Sequence, residues 1–300
     1  KSNKLLAKVR ISGGGRCNLL HDCPYPSELI KAYPRGGRSL KKPFGKFAYK
    51  EARAWFEDQG LELKVESDGR VFPVLDSSES VIEVLEKAAD RARVKVHLGM
   101  DMRSILKDGD GYQLEFRGGE LQHFDAVVLA MGGQPKLKAF DFLKDIDLTI
   151  VPPVPSLFTF NVPDSPMKEL QGLSVPEAWV QVPGTNWKQS GPLLITHWGF
   201  SGPAILKMSA WQALDFQERN YHFPILINWI NLSEEEARQQ IKDHFLGHPA
   251  KAVQNSRCFE LPTRLWRKFL QLAQIPMDKA NRDLSKKEVN RLIEYLVRSP

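Results

Sequence analysis

Two periodicities alternate along the chain, and the switches between them mark its elements. "YKEARAWFEDQG" (49–60) puts Ala52, Trp55 and Phe56 on one face at helical spacing, with Gly60 placed to end the helix. "LELKVES" then alternates as a strand, and "DGRVFP" reads as a turn leading into an extended piece. "SSESVIEVLEKAADRARV" (77–94) opens with a serine cap and returns to helical spacing through Val81, Val84, Leu85 and Ala88. "VKVHL" predicts a short strand after it. "SILKDGDGYQLEF" (104–116) predicts two strands around an Asp-Gly turn, with "ELQHF" a third. The continuous apolar run "FDAVVLAMGG" (124–133) predicts a strand buried on both faces, as in a parallel sheet.

The pattern changes at "VPPVPSLFTFNVP" (151–163), whose prolines mark a domain boundary. Strand signals dominate from there to about 230 ("LFTFNV", "AWVQV", "PLLITHW", "HFPILINWI"), interrupted by a helix at "SGPAILKMSAWQAL" (201–214). This predicts a small β-barrel or sandwich. From "NLSEEEARQQIKDHF" (231–245) onward the chain reads as helical, with Ser233 as N-cap and Glu236 three residues on. Further helices are expected at "PTRLWRKFLQLAQI" and "SKKEVNRLIEYLV". The expected domains are thus 1–150, 151–230 and 231–300. Trp55, Trp211 and Trp266 sit at helical spacing and are expected in the core.

Composition adds limits. The 300 residues are 42% hydrophobic and 26% charged, the balance of an ordinary globular protein. No apolar run reaches the ~18 residues that span a bilayer, so no membrane association is expected, and no signal peptide is evident. Cys17, Cys23 and Cys258 are too few and too scattered for a disulfide framework or a zinc site. The expected compartment is therefore the cytoplasm, and no metal is expected. The net charge of +6 concentrates in 31–50 and near the C-terminal end. Solvated helix faces account for it, and an anionic ligand is the alternative. Only Tyr33, Phe44 and Phe47 interleave with the basic run 31–50, too few for the stacking platforms of nucleic-acid binding, so no nucleic-acid partner is expected.

Candidate chemistry starts at "KVRISGGGRCNLLHDC" (8–23). Consecutive glycines let backbone N–H groups approach an anion with no Cβ in the way. Gly13, Gly14 and Gly15 with Arg16 would suit a pyrophosphate or the polar edge of a ring, and Asn18 adds an amide. A tight turn holding no ligand explains the triplet equally well, and its spacing is not GxGxxG. His197 in "ITHWGFSG" could donate to a substrate or act as an acid, or it could close a strand-to-helix turn that Gly199 and Gly202 permit. Arg70 could face an anion or solvent. Cys17 could be a redox thiol or a packed cysteine, and no CxxC partner accompanies it.

"ISGGGRCNLLH", "FGKFAYKEARAWFEDQGLELKVESDGRVFPVLDSS", "DAVVLAMGG", "PPVPSLFTFNVP", "LQGLSV" and "GPLLITHWGFSGPAILKMSA" follow one another in that order. Together they resemble the BaiN/RdsA-type NAD(P)/FAD-dependent oxidoreductases, a family of bacterial flavoproteins. The resemblance implies an α/β fold with an inserted β-barrel domain, a small helical domain and an incomplete Rossmann-type (glutathione-reductase-like) FAD domain. It also implies FAD as cofactor and NAD(P)H as co-substrate, with electrons passing through the flavin to an organic small molecule. Ser12, Gly13, Gly14, Arg16, Cys17 and Asn18 become candidate FAD contacts. Ala130, Gly132 and Gly133 in "LAMGG" join them through an ATG-like strand-end motif, and residues after "VKVHL" would neighbour the adenine. His197 is the one named candidate for a catalytic role.

Family members also carry a GxGxxG turn and a glycine-rich GGYN-like motif. Neither occurs between Lys1 and Pro300, so the sequence is expected to correspond to the middle of the family. "KDIDLTIV" stands where a Gly-His pair is expected before the Thr, and Met131 stands where the family more often has Thr. A binding module without cofactor is the alternative function.

Overall fold

The computed structural model describes residues 4–300, and the chain divides into two compact units, one ending at Pro152 and one spanning Pro153–Pro300. Helix α1 (Ala7–Ile11) opens the described chain, followed by strand β1 (Leu20–His21), α2 (Pro26–Leu29), α3 (Gly37–Phe44) and α4 (Tyr49–Asp58). Strands β2 (Leu63–Val65) and β3 (Arg70–Pro73) then pair antiparallel, and β1 adds to the other edge of β3. Helix α5 (Ser78–Arg91) begins at Ser77, whose hydroxyl accepts from the Glu79 N–H and so satisfies one of the otherwise unpaired first-turn donors. Ser78 Oγ donates to the Arg10 carbonyl (2.7 Å), tying α5 to α1. Beneath these elements Cys17, Leu61 and Val81 form a small apolar core with Val9, Leu19 and Phe56 against it.

A second antiparallel sheet follows in the same unit: β4 (Met102–Asp108), β5 (Gly111–Phe116) and β6 (Leu121–Phe124), in the order β4-β5-β6. The β4–β5 link is the two-residue turn expected from Asp-Gly, with Gly109 at φ 57°. Ile105 and Leu114 pack on Leu143 from a 3-10 segment, Leu137–Leu143.

Two expected strands do not form. Residues 94–98 are irregular and exposed, and 126–134 run as irregular, largely exposed chain, with Val128 89% and Leu129 41% accessible and Val127 half-buried against the Ile105–Leu143 cluster. A strand exists only through hydrogen bonds to neighbours, and every ladder among the described residues is antiparallel and lies elsewhere. The apolar run at 124–133 could fill a buried position, but no described segment offers it a parallel edge.

The second unit is built on β7 (Phe160–Asn161), β8 (Ser174–Gln181), β9 (Lys188–Ile195), β10 (Gly199–Ser201) and β11 (Leu226–Asn228). They form one antiparallel sheet in the order β11-β8-β9-β10-β7. Helix α6 (Pro203–Trp211) packs against β9, and α7 (Ala213–Glu218) follows. Three longer helices complete the unit: α8 (Glu234–Gly247), α9 (Thr263–Leu272) and α10 (Lys286–Val297). Reciprocal capping boxes start two of them, Ser233 with Glu236 and Ser285 with Glu288.

Sheet and helices share one large core that includes Phe216, Trp229, Trp266 and Phe269, all fully buried. Trp266 Nε1 donates to the Val253 carbonyl (2.9 Å), so its polar atom is buried without loss. Of the three tryptophans expected inside, only Trp266 is. Trp55 is 36% and Trp211 39% accessible, because helical spacing defines a face without defining what covers it. The last residues return to the sheet, where Ile227 and Ser299 exchange backbone hydrogen bonds of 2.8 and 2.9 Å. No described helix is long and apolar enough to cross a membrane.

Candidate functional site

The glycine segment folds as a tight turn, Ser12–Gly15, directly after α1. Gly13 and Gly14 adopt φ of 56° and 69°, the left-handed region that a Cβ disfavours. A Cβ at Gly13 would lie 2.6 Å from the Asn18 backbone nitrogen, so the turn closes only with glycine there. Gly14 and Gly15 have nothing within 4 Å of a Cβ position, so at these two residues the conformation rather than close packing favours glycine. Ser12 Oγ donates to the Val9 carbonyl (2.8 Å), and Cys17 N donates to the Ser12 carbonyl (3.0 Å). The Cys17 side chain points into the apolar core, and all three cysteines are free thiols, which supports the packed reading.

Arg16 is engaged by protein. Its guanidinium pairs with Glu66 and with Asp76 (2.9 Å), and it lies 4.0 Å above the Phe72 ring. Glu66 and then Asp76 stabilise its charged form. Lys64 and Arg16 in turn hold the Asp76 carboxyl below its ordinary value. Arg70 pairs with Glu66 (3.0 Å) and Asp68 (2.7 Å), so it too is spent on carboxylates. Lys64, Asp76, Arg16, Glu66, Arg70 and Asp68 therefore make a ladder of alternating sign that clamps the glycine turn to the β2–β3 hairpin.

Asn18, beyond the turn, is exposed and lines a cavity of about 420 Å3. Tyr33, Phe44, Phe47 and Tyr49 form its aromatic walls, with the Tyr33 and Phe44 rings 5.7 Å apart. On the other side the "LAMGG" segment approaches α1: a Cβ at Gly132 would come within 3.0 Å of Lys8 Nζ. Ala130 and Gly133 are exposed on the same stretch. The structure brings Gly13 and Asn18 together and sets Gly132 beside Lys8 of α1, and it adds Lys8 and the aromatic cavity at Asn18, which the sequence did not assign. The only signal for the cavity was the three aromatics in the basic run.

These residues fit a dinucleotide. Glycine backbone and the Lys8 ammonium suit phosphate, and an aromatic-walled cavity beside an amide suits a flat ring.

His197 lies in the second unit, in the turn between β9 and β10. This corrects the expected strand-to-helix turn, because α6 begins only after β10. The turn is held by Thr196 N donating to the Gly199 carbonyl (2.8 Å) and Gly199 N donating to Thr196 Oγ1 (3.1 Å). Its exposed ring packs edge-on against Trp198 at 4.1 Å. A Cβ at Gly199 would fall 2.3 Å from the Phe160 carbonyl oxygen, and one at Gly202 2.6 Å from that of Pro192. Both glycines are needed by close backbone packing.

The family model for the HI0933-like protein Rossmann domain matches residues 1–201, and that for the HI0933-like protein barrel and H2TH domain matches 154–300. The chain belongs to the HI0933-like family. The BaiN/RdsA-type resemblance and the α/β fold with inserted barrel and helical parts agree with that membership. Among its relatives is a protein of Escherichia coli (strain K12) named ribosomal RNA dihydrouridine synthase. It is 27% identical over 298 residues, covering 94% of this chain and 68% of that protein. A Clostridium scindens protein named 3-dehydro-bile acid delta(4,6)-reductase is 24% identical, covering 89% of this chain and 66% of its own length. A Haemophilus influenzae protein, again named ribosomal RNA dihydrouridine synthase, is 22% identical, covering 98% and 72%. The chain therefore spans about two thirds of the length of these HI0933-like relatives.

Proposed function

We propose for this HI0933-like chain a flavin-dependent oxidoreductase function that reduces a carbon–carbon double bond conjugated to a carbonyl. Two relatives are named as a ribosomal RNA dihydrouridine synthase and a 3-dehydro-bile acid delta(4,6)-reductase. Reducing uridine to dihydrouridine and reducing a delta(4,6) bond beside a 3-oxo group both saturate a carbon–carbon double bond conjugated to a carbonyl, and this shared chemistry supports the reading. The observation that carries the reading is Asn18, which joins the glycine turn to an aromatic-walled cavity.

FAD, when bound, would supply the two-electron chemistry, with NAD(P)H as the source of electrons. Gly14, Gly15 and Asn18 would line the cofactor through backbone and amide, and Gly132 would pass close to it. Lys8 would offset phosphate charge where Arg16, held by Glu66 and Asp76, does not. Tyr33, Phe44 and Phe47 would exclude water from a flat ring. The substrate is proposed to be a small organic molecule. A single ring presented by RNA is the second reading: the three aromatics of the basic run 31–50, too few for a platform that stacks successive bases, line one cavity that one ring could enter.

The test is a titration of the purified chain with FAD, followed by anaerobic addition of NADPH or NADH and then of 2-cyclohexenone. Quenched flavin fluorescence, bleaching of the oxidised flavin and its return with enone are expected. A chain that neither quenches FAD nor supports bleaching would refute the proposal.

A further inference from the structure

The helical face of the second unit carries a groove that the redox reading does not use. It runs between α8 and α10, is closed by Pro249 and the 281–284 turn, and encloses about 610 Å3. Its floor is apolar: Ile241, Phe245, Leu284 and Val289. Ile241 and Phe245 belong to the main core, so the floor is held by packing beneath it. The walls are fixed by the capping boxes that start α8 and α10. The closing turn is anchored by Asn281, whose side-chain amide donates to the His248 carbonyl (2.8 Å) and to Ser256 Oγ (2.6 Å).

The rim is cationic. Arg238, Lys242, Arg282 and Lys286 line it, and no carboxylate does. Arg238 is tied to Glu234 (2.8 Å) and Arg282 lies 3.8 Å from Asp283. Lys242 and Lys286 form no ion pair among the described residues, so two ammonium groups remain available.

We propose that this groove binds a small amphipathic carboxylate, its apolar body on the Ile241–Phe245–Leu284–Val289 floor and its anionic head at Lys242 and Lys286. The volume falls in the range of small-molecule sites. Only one turn of α10 faces the groove and the 281–284 turn closes its end, which favours a compact ligand over an extended peptide. The apolar floor argues against a nucleic-acid backbone, which needs a row of phosphate contacts. The site is independent of the glycine turn and of the flavin reading.

Calorimetric titration of the full chain with dodecanoate tests this. One molecule should bind per chain. K242E/K286E should weaken it by about tenfold or more, the loss of roughly 1.4 kcal/mol in head-group attraction. V289W, which fills the floor, should abolish binding. K95E/K136E, exposed lysines of the other unit, changes net charge equally and should leave affinity as it was. Dodecyltrimethylammonium should not compete. Equal affinity in wild type and K242E/K286E would overturn the proposal. So would equal binding of the cationic detergent, no binding at about 1 mM dodecanoate, or binding of an acidic amphipathic peptide with dodecanoate excluded.

Discussion

Replacing Gly13 by alanine separates two costs that are usually confounded. At φ 56° an alanine is held in the left-handed region, which costs roughly 1–2 kcal/mol whatever the space around it. The added Cβ would also sit 2.6 Å from the Asn18 nitrogen, where ordinary contact begins at 3.4 Å, so that backbone must retreat by about 0.8 Å. It has little room to do so. Cys17 N is bonded to the Ser12 carbonyl (3.0 Å) on one side, and Leu19 N to the Val71 carbonyl (2.9 Å) on the other. Overpacking of this kind costs about 1–3 kcal/mol. Gly14→Ala meets the conformational cost alone, since nothing lies within 4 Å of its Cβ position. Urea unfolding of the transition that contains the first unit should therefore show G14A destabilised by about 1–2 kcal/mol and G13A by about 2–5 kcal/mol. FAD quenching should weaken more in G13A. Equal destabilisation by the two variants would refute the close approach of Gly13 to Asn18.

Two further outcomes follow from the second unit. Lys279 and the Ser285 cap hold the Glu288 carboxyl at about 2, well below its unfolded value, so its contribution is complete above about pH 4.5 and disappears as pH falls toward 2. E288Q should lower stability by roughly 1 kcal/mol near neutrality. The Tm gap from wild type should close on acidification, and a gap constant from pH 7 to pH 2.5 would show that Glu288 is not the group responsible. His197→Gln should change kcat/KM for enone reduction by less than about threefold, because Thr196 and Gly199 hold the hairpin turn and the exposed His197 ring packs on Trp198; a hundredfold fall in kcat at unchanged KM would instead mark it as the acid.

Local signals carried the helices and hairpins of this fold well. Ser233 with Glu236, the Ser77 cap and the Asp-Gly turn each specify their neighbours within a few residues, and each forms as expected. The apolar runs at 94–98 and 124–133 announce a capacity for burial, yet a strand needs a partner edge that no local pattern supplies. The same limit explains Trp55 and Trp211, whose helical faces are only partly covered. In the candidate site, the glycine triplet is legible because its backbone demands are local. Lys8 beside Gly132, and Tyr33, Phe44 and Phe47 beside Asn18, come together only through tertiary folding. Arg16 shows the converse: a cation promising for phosphate by sequence is matched by two carboxylates, Glu66 and Asp76, fifty and sixty residues on.

Ser299 closing on Ile227 has a consequence for how the second unit fails. Strand β11 forms one side of the five-stranded sheet, and an uncovered outer strand is a template for adhesion between molecules. Here the returning chain occupies that template at Ile227, and Trp229 N is likewise taken by the Leu296 carbonyl (2.8 Å). Detachment of α10 and the residues after it would thus unmask a sticky border as well as remove a helix. Loss of solubility, rather than loss of secondary structure, should be the first sign of damage at this end of the unit.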